Sequence, residues 1–326
     1  MYTEKEARSL IIEAGHRLLD EELIARTWGN ISARIGDDKF IITPSGRSYD
    51  NLREDELVIV NVEDCSYDGD IKPSSEKGVH AKIYDLRPEV NFIIHTHQFY
   101  ASVIAADRQD TDFSPCAEYA LPGTKKLIEN ISKVILTNPD KKSFLLASHG
   151  VVALGNDFDD AFFEAKKLEE ASKKAIKKRI PDFDPEVEFD NGIDVATIIF
   201  DNMPNVSILR DPEIMECCRA GINVKPFLDD FAQIIGTDML CIENDVKCAK
   251  KAVRKMKKNF RNAILVNGVG ALVYADTQDD LKAEELIVRK NCAAACYARK
   301  SAPIKVIDAL IQRQVYLKKY SKRING

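Results

Sequence analysis

Three histidines lie in or directly after apolar segments, and imidazole is a common ligand of catalytic zinc. His95 and His97 follow residues 91–94, and His149 lies within the apolar run 144–154. Because side chains alternate along a strand, both imidazoles of the His-Thr-His pair should leave one face at a strand's end. His149, ending a second buried strand, supplies a third nitrogen and leaves coordination positions for water or substrate. The pattern predicts one open site for a divalent cation, with zinc as first choice and another divalent ion as alternative.

Glu76 is the acidic residue that best fits a catalytic role beside this ion. It follows two serines where a helix should begin, and a carboxylate there can bind metal or, displaced by substrate, act as a base. A lone histidine is more often a hydrogen-bonded core residue, which is our interpretation of His16. His80 lies one helical turn after Glu76, where a site paired with Glu76 is one interpretation and a structural hydrogen bond is the favoured one.

Three short segments rich in glycine and hydroxyl residues could bind an anion. They are residues 29–32 (GNIS), 43–46 (TPSG) and 74–75 (SS). Backbone N–H groups at glycine turns and at a helix N-terminus carry partial positive charge, which suits a phosphate even without lysine or arginine. Each segment alone is more often an ordinary turn, so the prediction depends on their convergence.

The elements that must position these residues alternate between helix and strand. Apolar spacing predicts a helix over residues 3–25, and β-like runs follow at 30–35, 39–43 and 57–62. A helix should run from the two serines to residue 86, followed by a buried strand at 90–96. A charged helix is predicted over 158–178, after the apolar run that holds His149. This order indicates an α/β fold.

The second half of the chain resembles part of the first at an offset of 120 residues, with 145–165 over 265–285. His149 then faces Val269, and no histidine follows His149 in the sequence. We expect a metal-binding domain over residues 1–180, a linker over 181–192, and a degenerate copy without metal ligands over 193–326.

The charge composition favours a small molecule as partner. The 326 residues carry 47 basic and 52 acidic side chains, a net charge of −5, which gives no reason to expect nucleic acid or an anionic membrane as partner. No apolar run spans a bilayer and the N-terminus lacks a secretory signal, so a cytoplasmic location is expected. The eight cysteines show no paired C-x-x-C spacing, which argues against a disulfide framework or a cysteine zinc site.

Residues 1–178 resemble the class II aldolase/adducin family of the L-fuculose-1-phosphate aldolase type. The resemblance rests on the three anion-binding segments, Glu76, the His-Thr-His pair, residues 148–150 (SHG) and residues 116–119 (CAEY). It implies a three-layer αβα fold with a central mixed or antiparallel sheet, zinc on the three histidines, and Glu76 as both ligand and acid/base. It also implies that Tyr119 is a second proton-transfer group, which family members contribute to a neighbouring subunit's site in a homotetramer; a packing role is the alternative. The implied phosphate-binding residues are Gly29, Asn30, Ser45, Gly46, Ser74 and Ser75.

The resemblance implies a carbon–carbon lyase of carbohydrate metabolism. Such an enzyme cleaves a phosphorylated ketose to dihydroxyacetone phosphate and an aldehyde, through an enediolate that the metal stabilises. The alternatives within the family are an epimerase of the ribulose-5-phosphate 4-epimerase type, a decarboxylase, a dehydratase and a non-catalytic adducin-like scaffold. Members of the epimerase branch resemble one another in a Ser-Ser-Asp pattern, whereas residues 74–76 of this chain are Ser-Ser-Glu, which favours cleavage. We expect a homo-oligomer acting on a sugar phosphate.

Overall fold

The computed structural model describes residues 1–25, 27–179, 193–201, 203–259, 261–298 and 301–319. It divides into two compact units, Met1–Ile176 and Lys177–Gly326. The linker predicted at 181–192 lies outside the described residues. None of the described helices is long and apolar enough to cross a membrane.

The first unit is built around a seven-stranded sheet of order β3-β2-β1-β4-β7-β6-β5. Its neighbours pair antiparallel except β5 and β6, which are parallel. The strands are β1 (Asn30–Arg34), β2 (Lys39–Ile42), β3 (Val58–Asn61), β4 (Phe92–Thr96), β5 (Cys116–Ala117), β6 (Ser143–Leu146) and β7 (Gly150–Gly155). The helices are α1 (Glu4–Asp20), α2 (Lys77–Leu86), α3 (Phe99–Ala105), α4 (Lys125–Thr137) and α5 (Phe158–Arg179).

Helices cover both faces of this sheet. Phe92 and Ile94 of β4 belong to a hydrophobic cluster with residues of α1 and α5. Ile93 points the other way, into a cluster with residues of α2 and α4. Because β4 is central and buried on both sides, its first three residues, Phe92 to Ile94, are apolar without polar alternation, as expected for a fully covered strand. The three-layer αβα fold with a mixed sheet is therefore confirmed for the first unit.

One predicted element is different in the structure. The apolar run 144–154 is two strands, β6 and β7, joined by a tight turn at residues 147–149 rather than one strand ending at His149. Ser148 adopts a left-handed conformation with φ of 59°, and the His149 N–H donates to the Leu146 carbonyl at 3.0 Å. Sequence patterning missed the turn because its residues are as buried as the strands beside them.

The second unit has a four-stranded sheet of order β8-β11-β10-β9. The strands are β8 (Asn205–Leu209), β9 (Leu240–Ile242), β10 (Ala263–Val266) and β11 (Gly270–Ala275). The helices are α6 (Ile193–Ile199), α7 (Pro212–Arg219), α8 (Asp229–Ile234), α9 (Val246–Asn259), α10 (Gln278–Tyr297) and α11 (Val306–Lys319).

This sheet has the connectivity of the β4-β7-β6-β5 half of the first. The β9–β10 pair is parallel and the other pairs are antiparallel, as in the corresponding strands of the first unit. The β6–β7 hairpin starts at residue 143 and the β10–β11 hairpin at residue 263, an offset of 120. The turns of the two hairpins also have similar backbone conformations. Gly268, 120 residues after Ser148, has a φ of 73°, and Ser148 has a φ of 59°. Within the described residues, the sheet of the second unit contains no counterpart of β1, β2 or β3.

Candidate metal centre

The strand β4 places His95 and His97 on the α2 face of the sheet. Ile93 contributes to the cluster with α2, and side chains two and four positions later share its face. His95 is 2% exposed at the end of the strand, and His97 follows it, half-buried. The alternation of side chains along β4 therefore places both imidazoles near the N-terminal end of α2, where Glu76 lies.

The turn before β7 places His149 beside them. In the register of the β4–β7 pair, Val151 faces Thr96 and Val152 faces His95. A Cβ atom on Gly150 would lie 2.4 Å from the Thr96 carbonyl oxygen and 3.3 Å from atoms of both the His95 and the His97 ring. Only glycine therefore allows this close approach of the two strand ends.

The three imidazoles have the spacing of a metal site. Ring centroids are 5.0 Å apart for His95 and His97, 5.0 Å for His95 and His149, and 4.8 Å for His97 and His149. The Nε2 atoms of His95 and His97 are 3.2 Å apart. Two nitrogens bound tetrahedrally to one zinc at its usual bond length lie about 3.3 Å apart. These three histidines form a group that could hold an ion.

The protonation of His95 suits metal binding. Its Nδ1 lies 2.7 Å from the Val151 carbonyl oxygen, which can only accept, so Nδ1 carries the proton. With the proton on Nδ1, Nε2 is the ring nitrogen that could bind a metal ion in the site. A backbone carbonyl that fixes the tautomer of a histidine ligand is the usual support of such a site.

The Glu76 carboxylate closes the site from the N-terminal end of α2. Its Oε2 lies 3.1 Å from Nε2 of His95, and its Oε1 lies 3.0 Å from Nε2 of His149. Burial raises the pKa of Glu76, but charge on His95 and His149 and their hydrogen bonds outweigh it, so the pKa lies well below its usual range. The carboxylate is therefore ionised.

A buried hydrogen-bonded chain supports Glu76 from behind. Asn30 Nδ2 donates to Glu76 Oε2 at 3.0 Å, and Asn30 Oδ1 lies 2.5 Å from His80 Nε2. Ser32 Oγ is 2.6 Å from His80 Nδ1 and 2.8 Å from Tyr84 Oη. His80 thus makes structural hydrogen bonds, although its partners lie on β1 rather than on its own helix. Sequence analysis assigned Ser32 to an anion-binding segment and did not single out Tyr84, although these residues lie two after Asn30 and four after His80, on the same faces.

The three predicted anion-binding segments lie next to one another. Thr43 joins them, because its Oγ1 accepts from the Ile31 N–H at 3.2 Å and its carbonyl accepts from the Ser74 N–H at 3.0 Å. Gly29 and Gly46 adopt φ of 82° and 75°, which few other residues adopt. The neighbouring side chains include exposed Ser75 and half-buried Ser45. The Asn30 side chain, in contrast, is engaged at both ends within the protein.

Tyr119 lies two residues after β5 and is half-buried. The Arg108 guanidinium lies 5.0 Å from the centre of its ring, and Arg108 Nε donates to Ser148 Oγ at 2.9 Å. The ring is thereby linked to the residue before His149. Its contact with Arg108 is a cation–π interaction.

The second unit has other residues at the positions of the metal ligands. In the first unit, Thr96 pairs with Val151 and His95 with Val152. The residues 120 positions after these valines are Ala271 and Leu272, which pair with Leu209 and Ile208. Ile208 therefore takes the place of His95, Arg210 that of His97, and Val269 that of His149. Arg210 Nε donates to the Val269 carbonyl at 2.9 Å.

The position of Tyr119 is also changed. Leu265 pairs with Cys241 in the second unit, where Leu145 pairs with Cys116 in the first. This register places Asn244 where Tyr119 stands. None of these four positions of the second unit carries a histidine or a tyrosine.

Comparisons with known proteins agree with this geometry. The model of the Class II Aldolase and Adducin N-terminal domain matches residues 9–176. A 3-oxo-tetronate 4-phosphate decarboxylase of Haemophilus influenzae is 31% identical over 187 residues, covering 52% of this chain and 87% of that protein. An L-fuculose phosphate aldolase of Methanococcus maripaludis is 32% identical over 173 residues, covering 50% and 92%. A solved L-fuculose 1-phosphate aldolase, 28% identical, superimposes with a TM-score of 0.50 over 54% of this chain and 91% of its own. The chain belongs to the class II aldolase and adducin family.

Proposed function

We propose that this chain is a zinc-dependent aldolase that cleaves a phosphorylated ketose to dihydroxyacetone phosphate and an aldehyde. One observation carries the proposal: three imidazole nitrogens and an ionised carboxylate converge at a buried point beside an anion-binding surface. The similarity to L-fuculose phosphate aldolase supports the choice of substrate class.

The donor set fits a divalent ion. His95 Nε2 and Glu76 Oε2 are 3.1 Å apart, and an approach this close needs a positive charge near both atoms, which either a proton on the imidazole or a bound metal ion supplies. Among the described residues, the Glu76 carboxylate contacts two imidazoles and one amide, and no lysine or arginine. An ion held by His95, His97 and His149 would act as a Lewis acid toward the carbonyl and hydroxyl oxygens of the substrate.

The protein groups have distinct roles in this proposal. Ser45, Gly46, Ser74, Ser75 and the backbone at Gly29 bind the phosphate through hydroxyl and N–H groups. Tyr119, in its phenolate form, accepts the proton of the C4 hydroxyl as the C3–C4 bond breaks. Glu76, ionised at rest, first takes up a proton from water and then delivers it to C3, and Tyr119 returns its proton to water, which restores both groups.

Asn30 has a different place in this proposal from the one that the resemblance implied. Its amide nitrogen donates to the Glu76 carboxylate and its oxygen faces His80. We therefore assign the Asn30 side chain to orienting Glu76 and remove it from the phosphate-binding set.

A decarboxylase is the second candidate, because the Haemophilus influenzae relative is named as one at 31% identity. Both reactions break a carbon–carbon bond and leave its electron pair on a carbon next to a carbonyl. They differ in the fragment that leaves, which is an aldehyde in one case and carbon dioxide in the other. The same Lewis acid and proton donor serve either reaction.

Product analysis of the zinc-loaded full chain tests the proposal. The substrates are L-fuculose 1-phosphate, 5-deoxy-D-ribulose 1-phosphate and 3-oxo-tetronate 4-phosphate, with dihydroxyacetone phosphate and carbon dioxide measured separately. We expect dihydroxyacetone phosphate from a ketose 1-phosphate, with activity and bound zinc both lost in His95→Ala. His16→Ala, at an exposed histidine of α1, is the matched control. Loss of carbon dioxide from 3-oxo-tetronate 4-phosphate itself leaves dihydroxyacetone phosphate, so the two products are scored for each substrate. Carbon dioxide from that substrate, with no cleavage of either ketose 1-phosphate, would establish the decarboxylase, and no product from any substrate would refute both.

A further inference from the structure

We propose that His80 is a positioning residue that orients the Glu76 carboxylate through the side chain of Asn30. The inference rests on the proposed function, in which Glu76 transfers a proton. It goes beyond that function because the hydrogen bonds of the His80 ring described above go to Asn30 and Ser32 of β1, and none goes to His95, His97, His149 or the Glu76 carboxylate.

The hydrogen bonds of this chain have only one consistent direction. The ionised Glu76 carboxylate can only accept, so Asn30 must present its amide nitrogen to it and its oxygen to His80. His80 Nε2 must then carry a proton and donate to that oxygen. Donation from both ends of the Asn30 amide is impossible, because the oxygen has no proton to give.

The other side of the His80 ring fixes its tautomer. With Nε2 protonated, the neutral ring has an unprotonated Nδ1, which accepts the Ser32 hydroxyl proton across 2.6 Å. The Ser32 oxygen can then accept from the Tyr84 hydroxyl at 2.8 Å. In the series from Tyr84 through Ser32, His80 and Asn30 to Glu76, each residue therefore donates its hydrogen bond to the next.

Burial makes this arrangement durable. His80 and Ser32 are 0% exposed and Asn30 is 4% exposed, so bulk water does not compete for these bonds. Burial also lowers the pKa of His80 to about 3, which keeps the ring neutral and its Nδ1 able to accept.

The consequence is control of an amide orientation. Without a donor at His80 Nε2, the Asn30 amide can rotate by 180° and present its oxygen to the carboxylate, which repels it. Glu76 would then lose the hydrogen bond that fixes Oε2 while its contacts with His95 and His149 remain. Groups that orient a ligand or catalytic carboxylate in this way typically contribute about 10-fold to 100-fold to activity.

A pair of substitutions separates the positioning role from a packing role. His80→Leu retains comparable volume without a donor, whereas His80→Gln retains an N–H that can reach the Asn30 oxygen. We expect kcat of the zinc-loaded full chain to fall about 10-fold to 100-fold in His80→Leu, with KM little changed. His80→Gln should recover most of the loss. Equal kcat in both variants, whether high or low, would overturn the proposal.

The tautomer of His80 gives a second readout that needs no substrate. Nitrogen-15 NMR of the full chain labelled in its five histidines should show His80 protonated at Nε2 and not at Nδ1. Protonation at Nδ1 would overturn the inference even in an active enzyme. If wild-type protein cleaves none of the substrates, the proposed function fails and the NMR result alone decides the role of His80.

Discussion

The site depends on a small number of contacts between side chains that are distant in sequence. The histidines of the predicted metal centre could be found from residue type and strand alternation, because His95 and His97 are two positions apart on one strand. The support of Glu76 could not be found in this way. His80 is 50 residues from Asn30 and 48 from Ser32, and only the packing of α2 on β1 brings them together. Local patterns carry no information about which strand a helix faces.

Glu76→Gln should separate metal binding from chemistry. The amide is nearly the same size as the carboxylate but cannot transfer a proton at neutral pH, and the three histidines remain. We expect zinc content to stay near one per chain while cleavage falls about 100-fold to 10,000-fold, the usual range for loss of a general acid or base. Zinc analysis and initial rates on one preparation provide the measurement. Glu13→Gln, at an exposed carboxylate of α1, is the control, and undiminished cleavage in Glu76→Gln would contradict the assigned role.

His80 also makes the stability of the first unit dependent on pH. Burial lowers its pKa in the folded protein from 6.5 to about 3. Between these values the unfolded chain binds a proton that the folded chain does not. The free energy of unfolding therefore falls as the pH decreases below about 6.5, by up to about 1.4 kcal/mol per pH unit. His80→Gln lacks this contribution and should lose stability less steeply.

Trp28 provides the signal for this measurement, because it is the one tryptophan of the sequence and lies in the first unit. Denaturant unfolding between pH 5 and pH 7, in a chelator that removes metal, gives the slope for each protein. His16→Gln, at an exposed histidine, controls for the loss of an imidazole. The same slope in wild type and His80→Gln would show that this histidine does not remain neutral.

At the scale of elements, the predicted helices and strands lie close to those observed. The helix predicted at 158–178 is α5 (Phe158–Arg179), and the strand predicted at 39–43 is β2 (Lys39–Ile42). The two-residue strand β5 was not predicted, because a strand this short has no periodicity to detect. The β6–β7 turn was also missed, and this turn is the element that presents His149.

Gly150 and Gly270 offer a matched pair to test that turn. A Cβ atom would lie 2.4 Å from the Thr96 carbonyl oxygen at Gly150 and 2.3 Å from the Leu209 carbonyl oxygen at Gly270. Alanine at either position should therefore destabilise its own unit by about 1–3 kcal/mol, the usual cost of overpacking. Only Gly150→Ala should also weaken zinc binding, because its Cβ meets the rings of His95 and His97 at 3.3 Å.

Chelator competition and thermal unfolding of the two variants give both quantities. We expect at least about a tenfold loss of zinc affinity in Gly150→Ala, as for residues that orient metal ligands, and none in Gly270→Ala. A similar loss in both variants would mean that general destabilisation, rather than ring displacement, controls the affinity.

At the scale of the whole molecule, the internal repeat could be detected in the sequence for the two hairpins but not for the strands β4 and β8. The two hairpins keep the same length, so a single offset of 120 aligns them. The strands β4 and β8 correspond at an offset of 113, since residues 92–96 and 205–209 occupy equivalent positions. This change of offset hid the substitution of His95 and His97 by Ile208 and Arg210. The strand pairing in the two sheets identifies the residues that are equivalent to all three histidines.

Our proposal for residues 193–326 is that this unit is a truncated copy of part of the first unit, with a structural rather than a catalytic role. It preserves the hairpin, the left-handed turn residue and a hydrophobic cluster of its own while carrying Ile208, Arg210 and Val269 in place of the ligands. Such a unit needs its fold but not a metal. The full chain should therefore bind about one zinc, and not two.

Expression of residues 1–180 tests both halves of this proposal. The predicted metal ligands and the buried members of the two hydrophobic clusters described above lie within residues 7–165, so the fragment should fold and bind about one zinc per chain. If activity depends on the presence of the second unit, cleavage by the fragment should fall by about tenfold or more, because small displacements of reacting groups are costly. Zinc analysis, size-exclusion chromatography and cleavage rates of fragment and full chain are compared at equal concentration. A fragment with full activity would remove the structural role from the second unit, and a folded fragment without zinc would contradict the assignment of the site to the first unit alone.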